Sequence, residues 1–437
     1  MSLKRLLLPA AIAAAVMSPF TPVAISQASA AATTVEASAA SVSQHYADIA
    51  EAVFADSLIA AKQLQQAINT LLDTPTDANL AAARDAWIAA RVPYQQSEVY
   101  RFGNAIVDDW EGKVNAWPLD EGLIDYVDGD FYGSESDINA WYSANIIANP
   151  VLNIGGKQVD AGTIDKTLLA ETLHEIDGVE ANVATGYHAI EFLLWGQDLN
   201  GTNPGAGNRP ASDFDTDNCS NGNCDRRRDY LKAATELLID DLTEMANNWK
   251  QGGAARQQLA AKGELGALAT ITTGMGSLAY GELAGERTKL GLMLHDPEEE
   301  HDCFSDNTHW SHFHDALGIR NAYLGEYSRI DGSQLKGPSL SALTQAANPA
   351  LDQKMRDHLN ATQAAAQAMV DAAAEGQTFD VLIAAGNTEG NARVQAFVDA
   401  LTAQTQVLEE VMATLGIADV QLEGSDSLDN PAAVLGG

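Results

Sequence analysis

The sequence predicts an all-α protein built from two helical bundles, and three observations lead to that fold class. In three long segments, apolar residues recur every three or four positions, which is the spacing of an amphipathic helix. Glycine follows the second and third of these segments closely, as is common where helices end. The chain lacks a series of alternating apolar and polar runs separated by hairpin turns, so no large sheet is predicted.

The first segment predicts a long helix that starts near Val42 and continues to Leu71. The second runs from Leu231 to Trp249, before Gly252-Gly253, and the third from Val394 to Leu415, before Gly416. Helices of this length are typical of bundles. Gly155-Gly156 indicates at most a small β-excursion.

A polar loop divides the chain, because Gly, Asn, Pro, Asp and Ser crowd between Asn200 and Arg226 and no helical period survives there. We therefore predict an N-terminal bundle at 31–200, a linker at 201–225, a C-terminal bundle at 226–422 and a tail at 423–437. Each half opens and closes with a long helix, and this shared order suggests a duplication. The two halves are too different in sequence to establish one.

Residues 1–30 have the features of a cleavable signal peptide. Lys4 and Arg5 precede a short apolar stretch, and Ala28-Ser29-Ala30 has the small-x-small form of a cleavage site. We expect an exported, periplasmic protein, and no later segment is apolar and long enough to predict a membrane span. The formal net charge of −35 makes nucleic acid an improbable partner and favours cationic ligands.

The three cysteines are too few to form a disulfide framework. Cys219 and Cys224 lie in the polar loop and are close enough to pair, which leaves Cys303 as a free thiol. We favour this interpretation over a zinc site, because a four-residue spacing without a second cysteine pair is weak evidence for zinc.

The motif Gly186-Tyr187-His188-Ala189-Ile190-Glu191 lies in an apolar helical stretch. On a helix, His188 and Glu191 are neighbours at i and i+3, so they could ligate one metal ion together. A buried histidine that simply pairs with its own glutamate is the more common explanation of such a pattern, and Gly186 indicates close approach of another helix or a ligand.

Residues 295–314 form a second feature, because they contain five of the nine histidines of the chain together with six acidic residues. A short helix capped by Ser305 or Asp306 would turn Trp310 towards the core and leave His309 and His312 on the opposite side. Imidazole and carboxylate groups suit iron, zinc, copper or nickel. A solvated acidic loop is the alternative. The five histidines are His295, His301, His309, His312 and His314.

Acidic residues on helices of both halves are further candidate ligands. Glu98 follows Pro93, which should kink a helix and free backbone carbonyls. Glu282 and Glu286 stand at i and i+4, where a bound cation would relieve their repulsion. Pairing of either glutamate with Arg287 on a solvated face explains the same spacing.

These residues resemble a known family, since Gly186 to Glu191 matches the Gly-x-His-x-x-Glu motif of imelysin-like proteins. The stretches 115–120, 281–287 and 296–309 are similar to the branch called iron-regulated protein A, and the resemblance extends from about Val42 to Gly416. It implies a two-domain helical fold with the motif near the contact between domains, and a role in bacterial iron acquisition at the envelope. It also implies a peptidase alternative, because some relatives are described as proteases.

The motif itself argues against a zincin-type peptidase, because Phe192 follows Glu191 where the inverted zincin motif requires histidine. We therefore rank iron binding, with zinc or another divalent metal as alternatives, above peptide hydrolysis. A haem-binding or interaction module is the third possibility, although covalent c-type haem is excluded because Cys-x-x-Cys-His is absent. An envelope transport partner would exchange the metal. The candidate metal ligands are His188, Glu191, Glu98, Glu282, Glu286, His301 and His309.

Overall fold

Long α-helices form most of the computed structural model, which describes residues 37–133, 136, 138–418 and 420–435. The all-α prediction is confirmed. The predicted signal peptide lies outside the described residues. The helices are α1 Ala39–Asp73, α2 Asp77–Ser97, α3 Ala105–Asn115, α4 Gly186–Trp195, α5 Cys224–Trp249, α6 Ala254–Ala261, α7 Gly263–Ser277, α8 Leu290–Leu294, α9 Thr308–Leu324, α10 Leu340–Ala347, α11 Pro349–Ala374, α12 Phe379–Ile383, α13 Thr388–Leu415, α14 Asp426–Asp429 and α15 Pro431–Leu435.

The three helices predicted from apolar spacing are α1, α5 and α13. Ser38 caps α1 by accepting a hydrogen bond from the backbone of Ser41, and the predicted apolar positions line its buried face. Gly416 follows α13 with φ of +71°, the left-handed conformation that glycine adopts at helix ends. These helices therefore form for the local reasons that their sequences indicate.

Two groups of helices surround the core. In the first, α1 packs against α2, α5 and α7; in the second, α11 and α13 pack together with a π-helical segment, Leu278–Lys289. Helix α9 contacts both α2 and α11 and so joins the groups. The part of the chain from residue 37 onward belongs to one compact unit, and the domain boundaries and the duplication stay predictions.

Two short hairpins interrupt the helices. The first pairs β1 (Val151–Ile154) with β2 (Lys157–Asp160) in antiparallel fashion, and Gly155-Gly156 forms the turn with φ of +59° and +79°. The second pairs β3 (Glu326–Ser328) with β4 (Gln334–Lys336) and was not predicted.

The cysteines adopt the expected pairing. Cys219 and Cys224 form a disulfide, and Cys303 is a free thiol. Within the described ranges, no helix combines the length and apolar character that crossing a membrane requires.

The prediction for the face of α9 was wrong. Trp310 is 36% exposed, whereas His309 and His312 are buried. Other elements supply partners for part of this inward polar face, as in the hydrogen bond from Gln95 Nε2 to Asp315 Oδ2 at 3.3 Å. Asn307 precedes the helix at its N-terminus instead of Ser305 or Asp306.

Helix α9 approaches α2 closely at Gly318. A Cβ atom there would lie 2.6 Å from the backbone oxygen of Gln96. We expect Gly318→Ala to lower the free energy of unfolding by about 1–3 kcal/mol, because backbone must shift to admit the methyl group. Urea unfolding measures this. Gly129→Ala is the control, since no atom lies within 4 Å of its added Cβ. Equal stability of the two variants would contradict the tight α2–α9 contact.

Candidate metal centre

Helix α4 places His188 deep in the protein, and all ten of its residues are buried. Gly186 begins the helix with φ of +80°, and a Cβ atom there would lie 2.5 Å from the Val114 oxygen of α3. Glycine is therefore required for both its backbone conformation and its close contact with α3. The expected close approach at Gly186 is made by this neighbouring helix.

His188 and Glu191 interact within the helix, as their spacing indicates. His188 Nδ1 lies 3.0 Å from Glu191 Oε2, and both side chains are at most 1% exposed. Ser305 fixes the other carboxylate oxygen, because its backbone N–H and its hydroxyl donate to Glu191 Oε1 at 3.0 and 2.7 Å. This network orients the imidazole ring in the way that a second carboxylate commonly orients a metal-ligating histidine.

Burial controls the protonation of this pair. Burial, and then the positive charge of Arg91, lower the pKa of His188 to about 3, so its imidazole is neutral. Burial and the charge of Asp302 raise the pKa of Glu191 well above its usual range. In the tautomer whose Nδ1–H donates to Glu191, the lone pair of His188 lies on Nε2, which has no hydrogen-bond partner in the described part of the chain.

His301 and Asp302 reach His188 from the loop before α9. The rings of His188 and His301 are 4.8 Å apart, and His301 Nδ1 lies 3.4 Å from Asp302 Oδ1. One ligand atom from each of the three residues can be chosen so that all three lie within 4.8 Å of one another. We call His188, His301 and Asp302 the histidine cluster.

Arg91 of α2 supplies positive charge beside the histidine cluster. Its Nη2 donates to Asp302 Oδ1 at 2.9 Å and lies 3.5 Å from His301 Nδ1. Nη1 of Arg91 donates to Asn115 at 2.5 Å, and the side chain is 1% exposed.

Asp302 keeps one free acceptor position. A carboxylate has about four lone-pair sites. Arg91 uses one on Oδ1, while Asn307 and Ser311 donate to Oδ2. Burial would raise the pKa of Asp302, but Arg91 and the other neighbours outweigh it and hold the pKa below its usual value. The carboxylate is therefore ionised and can share its remaining lone pair with a cation.

The donor set fits a transition metal. Two neutral imidazole nitrogens and one carboxylate oxygen are ligands of non-haem iron(II) and also of zinc. The nitrogens are buried and preoriented, and His188 Nε2 is aimed at no protein acceptor or donor in the described part of the chain. A bound metal would supply a Lewis-acidic charge, which the ionised Asp302 would neutralise in part.

Glu98 and Glu282 lie around Arg287 instead of joining the histidine cluster. Arg287 Nη2 is 2.9 Å from Glu98 Oε2 and 2.7 Å from Glu282 Oε1, and Nη1 is 3.3 Å from Asp315 Oδ2. Arg101 lies 3.5 Å from the same Glu282 oxygen. The structure thus brings these two predicted ligands together, but as partners of arginine. Glu286 is half-buried, and its negative charge adds to the burial that raises the pKa of Glu299.

His309 lies beside the histidine cluster without belonging to it. Burial lowers the pKa of His309 to about 4 and that of His312 to about 3, although the negative charge of Asp302 acts in the opposite direction on both. The His312 ring stacks on Phe397 and meets Phe379 edge-on. Both histidines are neutral neighbours of the candidate site.

Asp302 as a candidate ligand and Arg91 as its partner were not predicted from the sequence. Asp302 directly follows His301, so its adjacency to a candidate ligand was a usable signal. Arg91 continues the apolar register of Leu80, Ala83 and Trp87 on the buried face of α2. A charged residue at a core position is a signal for a buried polar partner.

Comparisons with known proteins agree with this architecture. A crystal structure from Parabacteroides distasonis, provisionally assigned as an iron-regulated protein A precursor, has a TM-score of 0.61 and 20% identity, covering 88% of this chain and 97% of that one. At this identity the likeness concerns the fold alone.

Two sequence comparisons identify the relatives. Iron-regulated protein A of Synechococcus elongatus is 45% identical over 64 residues, which cover 14% of this chain and only 18% of that protein. The sequence model of imelysin, peptidase family M75, matches residues 26–408. Because that match extends over most of the sequence, the chain belongs to the imelysin family.

Proposed function

We propose that this protein binds iron(II) at the histidine cluster and acts in iron acquisition as a periplasmic protein. The observation that carries the proposal is the buried set of two neutral imidazoles and one carboxylate, whose ligand atoms lie within 4.8 Å of one another. Iron(II) accepts this mixture of nitrogen and oxygen donors. Exchange of the ion with an envelope transport partner would be the biological task.

Two further observations support a metal cation, and the first of them supports iron. A relative that is 45% identical over 64 residues is described as an iron-regulated protein. The net charge of −35 favours the approach of cations over anions. Zinc uses the same donors, so measured preference between the two metals decides the assignment.

Burial favours metal binding over peptide hydrolysis. His188, Glu191, His301 and Asp302 are each at most 1% exposed, whereas a catalytic zinc needs an open position for water and substrate. Glu191 already accepts from His188 and Ser305, so it is held as an orienting group and not as a free general base.

The haem alternative requires a porphyrin-sized space beside a ligating histidine. The His301 ring instead contacts the rings of His188 and Trp117, at centroid distances of 4.8 and 5.7 Å. Protein side chains therefore occupy both neighbouring positions, and a small ion suits the cluster better than a macrocycle.

Glu191→Gln tests the proposal with little change of shape. An amide has only one acceptor oxygen, so it cannot accept from both His188 Nδ1–H and the Ser305 donors, and the imidazole is oriented less firmly. We expect iron(II) affinity to fall about 10–100-fold. The affinity is measured by anaerobic calorimetric titration of the metal-free protein with iron(II). Elemental analysis of protein purified without chelator measures the metal that stays bound.

Glu171→Gln is the matched control, because Glu171 is exposed and lies outside the cluster. We expect wild-type affinity for this variant. The proposal is wrong if the wild-type protein neither retains nor binds iron, or if both variants bind it equally well. Chelator-sensitive peptide cleavage that disappears in Glu191→Gln would instead support the peptidase.

A further inference from the structure

A second group of acidic side chains involves the same loop. Glu300 and Asp306 flank the loop segment that carries His301 and Asp302, and Asp380 comes from α12. One carboxylate oxygen of each of Glu300, Asp306 and Asp380 can be chosen so that all three lie within 4.8 Å of one another. Their exposed fractions are 1%, 6% and 0%.

Two oxygens of this group have no hydrogen-bond partner. Oε1 of Glu300 and Oδ1 of Asp306 are buried without one in the part of the chain that the structure describes, whereas Asp380 lies near the hydroxyl of Thr378 and the backbone N–H of Val381. Among the described residues, no lysine, arginine or histidine forms an ion pair with any of the three acids. Asp198 adds a further negative charge that acts on Asp306 and Asp380.

Such an arrangement is costly unless a cation is present. Buried carboxylates repel one another and lose their hydration, so proteins normally pair them with a cation or a metal. The histidine cluster illustrates the contrast, because Asp302 there has Arg91 at 2.9 Å. Glu300 Oε1, which is buried on a side chain 1% exposed and has no hydrogen-bond partner among the described residues, therefore indicates a ligand that is not a protein side chain.

We propose that Glu300, Asp306 and Asp380 form an all-oxygen site for a hard divalent cation of the calcium class, separate from the histidine cluster. Calcium binds oxygen at about 2.3–2.6 Å, so oxygens on opposite sides of the ion are about 5 Å apart, which accommodates a spread of up to 4.8 Å. Iron(II) and zinc gain from imidazole ligands, which the cluster of three acids does not offer. Water or backbone oxygens complete the six to eight positions that calcium takes.

Cation binding at this site would fix the loop that completes the histidine cluster. Glu300 directly precedes His301, and Ser305, which holds Glu191, directly precedes Asp306. An ion shared with Asp380 ties both ends of this segment to α12. The calcium site thus has a structural task that does not depend on which metal, if any, binds His188.

Calcium titration of the full-length, chelator-treated protein tests the inference. We expect one calcium ion per chain by calorimetry and a higher melting temperature in calcium, with an affinity in the submillimolar range. Asp380→Asn should weaken calcium binding by at least about tenfold, because a charged ligand is lost. Without calcium, this variant should melt no lower than the wild type, since one of the repelling charges has been removed.

Asp371→Asn is the control, because Asp371 is exposed on α11 and should leave calcium binding unchanged. Glu300→Gln provides a second ligand variant should Asp380→Asn fold poorly. The inference is overturned if millimolar calcium neither binds to the wild type nor raises its melting temperature, or if both ligand variants respond to calcium as the wild type does.

The same titrations separate this inference from the iron proposal. His188→Ala should bind calcium as the wild type does, whereas Asp380→Asn should retain a site for iron(II) on His188 and His301. Loss of iron binding with calcium binding intact contradicts only the proposed function. Absence of calcium binding in a protein that binds iron contradicts only the second site.

Discussion

Replacing His188 with alanine is expected to reduce iron(II) affinity by more than about 100-fold, because it removes a ligand, whereas loss of an orienting group costs about 10–100-fold. The lone pair on His188 Nε2 has no other partner among the described residues. The substitution would leave only His301 and Asp302 as ligands, and Asp302 is already shared with Arg91. Anaerobic calorimetry with iron(II), repeated with zinc, measures the loss.

His358→Ala is the matched control, because His358 lies on α11 outside the cluster and should leave the affinity unchanged. His301→Ala should resemble His188→Ala, since both rings belong to the same candidate site and their centroids are 4.8 Å apart. Circular dichroism verifies that each variant is folded. Iron binding that survives both substitutions would place the metal elsewhere and contradict the histidine cluster as its site.

Local sequence pattern predicted the helical half of this site well. The contact between His188 and Glu191 follows from their i and i+3 positions on one helix, and it is present at 3.0 Å. The long helices α1 and α13 likewise follow from apolar spacing and from Gly416 at the end of α13. Such features depend on neighbours within a few residues, which a sequence displays directly.

Contacts between distant segments could not be predicted in this way. Asp302 meets Arg91 across 211 positions of sequence, and Arg287 meets Glu98 across 189. Which acidic residue pairs with which arginine depends on how the helices pack, and the sequence contains several acidic residues that could pair with each arginine. Glu98 and Glu282 therefore looked like metal ligands although each already has Arg287 as a partner.

The inward face of α9 was unpredictable for a related reason. The amphipathic rule assigns aromatic residues to the core and imidazoles to solvent. Here His312 is fully buried between phenylalanine rings, and Asp315 bonds to Gln95 and Arg287. Asp315 can be buried because other elements supply its partners, and those partners are remote in sequence. Neither ring nitrogen of His312 has a hydrogen-bond partner in the described part of the chain.

Arg91→Gln is the second change with a large expected effect. It removes the positive partner of Asp302 from the core, and loss of one partner of a buried ion pair costs about 3–5 kcal/mol of folding free energy. The positive charge of Arg91, which lies 2.9 Å from Asp302, would also repel a cation bound at the histidine cluster. We therefore expect iron(II) to bind the variant more tightly than the wild type and to restore part of the lost stability. At an iron(II) concentration of about 100 times Kd, that restoration is about 2.7 kcal/mol.

Arg209→Gln distinguishes this role from that of an ordinary buried ion pair. Arg209 is also fully buried and contacts Asp125 and Asp213 at 2.7 and 2.9 Å, so its loss should destabilise the fold by a similar amount. It lies outside the histidine cluster, so iron(II) should stabilise Arg209→Gln only as much as the wild type. Urea unfolding of both variants with and without iron(II) gives the comparison. Equal stabilisation of the two variants would mean that Arg91 only balances Asp302 and that its charge does not oppose cation binding.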